Sequence, residues 1–284
     1  MLIAGVLVMP SARETARRVQ CADNLRQFAA AVEDYGDNGP SGEDLPPPYV
    51  ADANGKPMHS WRVLLLPYLG EKALYDAYDF DEPWDGPNNS KLAARMPEVF
   101  RCPSQHEAGQ PDTETNYFAV VGPETMWPED RRIRHGHVAD GLVFTLMLIE
   151  VRGLGISWME PRDVTFEEAM DLLTTKPRSG HTVAADGLLT TTYYETASRN
   201  IVLGDGTVIW LGQFSDAGDA RALLTRIGRD HPPDFMNKEY VETKATTVVK
   251  WDKVVALGVL VVLALLPLAW LGRRPKRAET AQHS

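Results

Sequence analysis

Apolar positions gather at the two ends of the chain and are broken into short runs between them. From Val254 to Leu271 the sequence reads VVALGVLVVLALLPLAWL, eighteen residues without a charge. As a helix rising about 1.5 Å per residue this stretch is about 27 Å long, close to the ~30 Å hydrocarbon core of a bilayer. A helix on a soluble domain keeps a polar face, and this one has none. The pattern therefore predicts a transmembrane helix, with Pro267 tolerated in lipid and Trp270 at the interface. Arg273, Arg274, Lys276 and Arg277 follow it directly, whereas Lys238, Lys244, Lys250 and Lys253 are spread over the residues before it. The denser cluster favours a cytoplasmic C-terminus. At the other end, MLIAGVLVM before Pro10 is too short to span a membrane. Ser11-Ala12-Arg13-Glu14 fits a capping box and predicts a helix from Ala12. Cys21, Leu25, Phe28, Val32 and Tyr35 then recur every three or four residues, one apolar stripe that ends at Gly36-Asp37-Asn38-Gly39-Pro40.

The middle of the chain predicts short elements. Pro46-Pro47-Pro48 is an extended loop, Glu71 to Tyr78 a short helix, Asp81 to Asn89 a turn-rich segment and Lys91 to Met96 another helix. Asn116 to Val121, Leu142 to Val151 and Ile201 to Leu211 are strand candidates, the last folded at Asp205-Gly206 as a two-residue hairpin. Val164 to Leu173 predicts a helix with Thr165 as its cap and Glu167 and Glu168 in its first turn, and Arg221 to Ile227 a further helix. The expected class is α+β: a long N-terminal helix packed on an irregular antiparallel β-sheet domain, followed by the C-terminal transmembrane helix.

Composition changes this picture in two respects. The net charge of −10 argues against nucleic acid as a partner. It is also unevenly placed: Arg273, Arg274, Lys276 and Arg277 against Glu279 give the tail +3, so residues 1–272 hold about −13. The two cysteines, Cys21 and Cys102, pose the question of compartment. Outside the cytoplasm a bridge would contribute about 4–5 kcal/mol on a chain-entropy model, and in the cytosol both would be buried thiols.

Candidate chemistry is sparse. Asp79, Asp81 and Asp85, with Asn88 and Asn89, offer oxygen ligands for calcium, although the spacing is not that of an EF-hand and such residues more often cap turns. His135, His137 and Asp140 have the flavour of a metal site, but Arg131, Arg132 and Arg134 surround them and would repel a cation. His181 lies near Ser179, which by itself says nothing about geometry. No Walker A loop, dinucleotide fingerprint or nucleophile elbow is present. Trp61, Trp84, Trp127, Trp158 and Trp210 read as core anchors before they read as a binding face. The expectation is a protein that is not an enzyme and carries no cofactor.

Several phrases in order resemble a bacterial family of prepilin-like, PulG-type pseudopilins whose members end in an H-x9-DG motif. They are LIAGVLVMPSARETARRVQCADNLRQ (residues 2–27), SWRVLLLPYL (60–69), YDFDEPWDGPNN (78–89), FRCPS (100–104), TNYFAVVG (115–122), ADGLVFTLMLIEV (139–151), SWMEPRDV (157–164) and LGDGTVIWL (203–211). The resemblance covers roughly residues 2–228. It departs from the family in three places. The leader and most of the first apolar helix are missing ahead of the CADNLRQ phrase. Glu195 stands where the motif's His belongs, with His181 as a displaced counterpart. The C-terminal span is additional.

The resemblance implies a pseudopilin-like fold and, because both cysteines lie in family phrases, a Cys21–Cys102 disulfide tying the first helix to the head. It implies a non-catalytic component of a secretion or cell-envelope assembly, with protein partners or self-association through the stem helix. The expected plan is a stub and stem (1–35), an α+β head (36–235), a linker (236–253), the span (254–271) and a basic cytoplasmic tail (272–284). The protein would sit in the cytoplasmic membrane by a single span with its head outside. The alternatives are a tail-anchored protein with a cytosolic binding domain, and an extracytoplasmic calcium-dependent module or hydrolase.

Overall fold

The computed structural model describes residues 9–39, 45–105, 113–129, 133–174, 182–187, 189–195, 198–212, 214, 216–228 and 244–271. The chain opens with helix α1 (Met9–Asn38), 30 residues and about 45 Å long. It starts three residues before the expected Ala12. The side chain of Ser11 and the apolar stub 1–8 lie outside the described residues. The stripe behaves as its spacing demands: Cys21, Leu25, Phe28, Val32 and Tyr35 are all buried, on one face of the helix.

That face lies on a five-stranded sheet. In chain order its strands are β3 (Tyr117–Val121), β4 (Leu146–Glu150), β5 (Val164–Thr165), β8 (Arg199–Leu203) and β9 (Val208–Leu211). Their spatial order is β5-β3-β4-β8-β9. The sheet is mixed rather than purely antiparallel, because β5 runs parallel to β3 while the other pairs are antiparallel. Alternate residues serve opposite faces. Tyr117, Ala119, Leu148 and Val202 pack with α1, while Phe118, Val120, Ile149, Ile201 and Leu203 join a second core. The second core is closed by helices α4 (Phe166–Thr174) and α5 (Ala217–Leu224).

Before the sheet come a small hairpin of β1 (Tyr49–Ala51) and β2 (Pro57–Ser60), then helices α2 (Trp61–Leu64) and α3 (Lys72–Ala77). A second sheet joins β6 (Thr182–Asp186), β7 (Thr190–Glu195) and β10 (Lys244–Val249) in the order β10-β7-β6. The last element is helix α6 (Trp251–Leu271).

Local chemistry explains the boundaries. Thr165 and Glu168 form a reciprocal capping box at α4: Thr165 Oγ1 accepts the Glu168 N–H at 3.2 Å, and Glu168 Oε2 accepts the Thr165 N–H at 2.9 Å. Asp216 caps α5 by accepting the Gly218 N–H at 2.8 Å. That helix therefore starts at Ala217, four residues before the expected start, and ends at Leu224.

Three expectations are corrected. Leu142 to Val151 is not one strand, because Gly141, at φ 93°, leads into a 3-10 turn over Leu142–Phe144, so β4 starts only at Leu146. The hairpin at Asp205-Gly206 has a three-residue loop, not two: the Leu203 N–H donates to Thr207 O and the Gly206 N–H to Leu203 O, both at 2.9 Å. Gly206 takes the left-handed position at φ 83°. The segment 236–253 is more than a linker, since its β-branched run forms β10, paired with β7 from Lys244 to Val249.

Helix α6 is 21 residues long, and its described side chains end at Pro267. Among the described residues, no helix is long and apolar enough to cross a membrane. The tail 272–284 lies outside the described residues.

Candidate functional site

The polar residues inside the phrases singled out above converge where α1 meets the head. Cys21, on α1, is disulfide-bonded to Cys102, with Cα atoms 5.2 Å apart across a separation of 81 residues. One turn further along α1, Asn24 Nδ2 donates to Arg101 O at 3.0 Å and to the Tyr117 hydroxyl at 3.2 Å. Asn116 Oδ1 accepts the Cys102 N–H at 2.7 Å, and its backbone pairs with Phe100 O and the Val151 N–H. Glu150, at the end of β4 opposite Tyr117, is buried beside the disulfide, and its Oε2 accepts Asn200 Nδ2 at 2.7 Å. Burial pushes the Tyr117 hydroxyl well above its ordinary value, with the nearby Glu150 charge acting in the same direction.

Over this junction lies a polar cleft of about 400 Å³ lined by Gln20, Asn24, Glu98, Arg101 and Pro103, three of them chain neighbours of the two cysteines. A second cleft, of about 450 Å³, runs between α1 (Ala29, Ala30) and the β8–β9 loop (Gly204, Asp205, Gly206). Within it, Asp205 is held by its own turn, accepting the Thr207 N–H at 2.9 Å and the Thr207 hydroxyl at 2.7 Å.

Beneath the junction sits a fully buried ion pair. Ser60 caps α2, so Trp61 and Arg62 enter the core at its first turn. Asp163 accepts from Arg62 Nη2 at 2.5 Å, from Trp61 Nε1 at 3.0 Å and from the Ala119 N–H at 2.8 Å. Arg62 Nε donates to Tyr117 O at 3.1 Å, and its guanidinium lies over the rings of Trp61 and Phe118. Burial pushes the Asp163 carboxyl up to about 6, opposed by the Arg62 charge and the hydrogen bonds from Trp61, Ala119 and Arg62. The pair couples β2–α2, β3 and β5.

The calcium candidates do not assemble. The carboxylates of Asp79, Asp81 and Asp85 are not gathered within 4.8 Å of one another. Asp79 Oδ1 accepts the Asp81 N–H at 2.9 Å, as a turn cap does. The centre of that loop is Asn89, fully buried, whose Nδ2 donates to Asp79 O at 2.7 Å and Pro83 O at 3.1 Å. Glu82 Oε1 accepts the N–H groups of Asn88 and Asn89.

Of the histidine candidates, His137 Nδ1 accepts the Arg134 N–H at 3.2 Å, a local tie, and Asp140 Oδ2 accepts the Gly228 N–H at 2.7 Å from the segment after α5. The side chain of His135, together with Ser179 and His181, lies outside the described residues, as does the side chain of Glu195. Trp61, Trp127 and Trp158 are core anchors, their indoles donating to Asp163, Met147 O and Ala93 O; Trp84 and Trp210 are half-buried.

His59, a residue that sequence reasoning passed over, is 2% exposed between Tyr78 and Phe80. Its Nε2 lies 3.2 Å from Phe80 O, which only accepts, so this nitrogen carries the proton; Nδ1 then accepts from the Tyr78 hydroxyl at 3.0 Å. Burial holds its pKa below the ordinary value, against the raising effects of Phe80 O and Asp79. A lowered folded pKa means stability is level above about pH 6.5 and falls as the pH drops through the folded value. Urea midpoints at about pH 7.5 and about pH 5.5 should therefore differ more in the native chain than in His59→Gln, by up to ~1.4 kcal/mol per pH unit. Equal pH slopes in the two proteins would refute the assignment.

Glu150, Asn200, Arg62, Asp163, Asn24 and Asn116 are the residues that sequence reasoning missed. For Arg62, Asn116, Glu150 and Asn200, though not for Asn24 and Asp163, the signal is a polar residue set in or beside an otherwise apolar run, as in WRVLLL, TNYFAVV, LMLIE and NIVL. Such a residue cannot be buried without a partner. No curated protein and no solved structure matches the chain. Over residues 10–130, from α1 through the disulfide to the start of the five-stranded sheet, the chain is similar to a family described as "Protein of unknown function (DUF1559)".

Proposed function

We propose that this is a membrane-anchored structural protein, a pseudopilin-like stem and head held outside the cytoplasmic membrane that presents its acidic surface to protein partners. The observation that carries the reading is the surface of α6. Val255, Leu260 and Leu263 are 61%, 65% and 59% exposed, and Val259, Val261, Val262, Leu265 and Leu266 are exposed with them. Apolar side chains exposed on every side of one helix need a cover, and a lipid bilayer covers all sides at once. The described side chains of α6 stop at Pro267, whereas the uncharged sequence continues to Leu271, and that longer run with the basic cluster after it suits a span with a cytoplasmic tail. The disulfide suits an oxidising compartment for the head. The polar groups at the stem–head junction bind backbone amides and carbonyls, which is the work of a clamp. The family phrases support the likeness to pseudopilin stems.

The test is fractionation of bacterial cells making the full chain. It is expected in the membrane pellet after alkaline carbonate, with Cys21 and Cys102 resistant to alkylation until reduced. The same chain without residues 254–271 is expected in the soluble fraction. Extraction of the full chain by carbonate would sink the anchor, and free thiols in freshly lysed cells would place the head in the cytosol.

A further inference from the structure

We infer that reduction of the Cys21–Cys102 bond converts the stem–head junction into a binding site for one zinc-like divalent cation, with Glu150 as the third protein ligand. The two sulfurs and a Glu150 carboxylate oxygen lie within 4.8 Å of one another, and all three residues are buried. They come from a long helix, from the short connection between the 3-10 turns Glu98–Phe100 and Pro103–Gln105, where Asn116 Oδ1 accepts the Cys102 N–H, and from a central strand. A tetrahedral zinc ion with bonds of about 2.3 Å to sulfur holds two thiolates about 3.8 Å apart. Cα atoms 5.2 Å apart accommodate that separation by side-chain rotation.

The donor set selects the ion. Two thiolates and one carboxylate suit a borderline-soft cation, and not calcium or magnesium, which take oxygen ligands. The supporting shell is in place, because Asn200 donates to Glu150 Oε2 through its side chain at 2.7 Å and its backbone at 3.3 Å. Charge balance accounts for a further oddity. Neither terminal nitrogen of buried Arg199 has a hydrogen-bond partner among the described residues, although the group interacts electrostatically with Glu150. Two thiolates and a carboxylate exceed a divalent cation by one negative charge, which the Arg199 guanidinium offsets.

The chemistry closes. A dithiol reductant gives two electrons and two protons to the disulfide and becomes a disulfide itself; the cation then displaces the two thiol protons to solvent. In the oxidised chain the sulfurs are bonded to each other and no thiolate is present, so the redox state decides binding. The inference does not depend on the membrane reading.

In the test, the full chain in detergent is reduced with dithiothreitol, freed of reductant without air and titrated with Co2+. One equivalent is expected to bind, with a thiolate-to-cobalt charge-transfer band and the strong visible bands of a four-coordinate ion, both bleached by Zn2+. The oxidised chain should show neither. Glu150→Gln should weaken Co2+ binding by at least ~10-fold. Should that variant fail to fold, the charge-transfer intensity decides: the wild type should show about twice that of Cys21→Ser, one thiolate having gone. A reduced chain that has lost helicity should regain its circular dichroism on adding Zn2+. A cobalt spectrum without charge transfer, unchanged affinity in a folded Glu150→Gln, or a reduced chain that zinc leaves unfolded would each overturn the inference.

Discussion

Asp163→Asn is expected to cost about 3–5 kcal/mol of folding stability, read as a shift of the urea midpoint at constant slope. The reason is what remains, not what is lost. Arg62 and Asp163 are both buried, and removing one charge strands the other in a medium that cannot solvate it. The neutral amide also cannot accept from the Trp61 indole, the Ala119 N–H and the guanidinium together, and buried donors left without acceptors add their own desolvation cost. A second variant separates the stranded charge from the lost hydrogen bonds. Arg62→Met with Asp163→Leu keeps similar volume and leaves no charge buried alone, though the Trp61 indole and the Ala119 N–H still lose their acceptor, so it is expected to cost less than Asp163→Asn. A cost below about 1 kcal/mol for the single change would show that the ion pair contributes no more than an exposed one.

The disulfide carries the other large effect. Cys21→Ser, Cys102→Ser or reduction should each destabilise the chain by about 4–5 kcal/mol on the chain-entropy account, because the bridge closes a loop across a separation of 81 residues. Against a usual total of about 5–15 kcal/mol, that is a large share. The loss should also be local in its first consequence. The bridge and Asn24 pin the middle of α1 to the head, and Leu25, Phe28 and Val32 complete the buried contact. A protease is therefore expected to cut within residues 9–38 of the serine variants before it cuts the sheet, and to spare α1 in the native chain. Identical thermal midpoints with and without reductant would show that the apolar stripe holds the stem unaided.

How far the fold could be read depended on what each element rests on. The α1 stripe, the capping box at Thr165 and the turn at Gly206 are local events, decided by side-chain period, by reach over three residues and by the φ available to glycine. All are visible in a linear string. The strand pattern at Leu142 to Val151 misled because Gly141 and the 3-10 turn after it interrupt an apolar run whose composition does not change. The strand Lys244–Val249 was hidden because its pairing partner, Thr190–Glu195, lies some fifty residues earlier and both are polar on the page. Single charged residues such as Arg62 and Asp163 are still less legible. Their partners lie about a hundred residues away, and nothing in a one-dimensional pattern says which buried cation meets which carboxylate.

By itself, then, the sequence determined the long amphipathic stem, the uncharged C-terminal run, the alternation of short apolar segments that makes an α+β head, and the asymmetry of charge between head and tail. These follow from periodicity and composition, which act over a few residues. Only the tertiary structure decided that Asp79, Asp81 and Asp85 are not gathered into one site, that Asp163 rather than any nearer acid receives Arg62, and that Glu150 comes to lie beside the disulfide with the Arg199 charge acting on it. Those outcomes are set by which strands become neighbours in the sheet. Strand order is a global choice made by burial of both faces at once, so it appears only when the whole chain is folded.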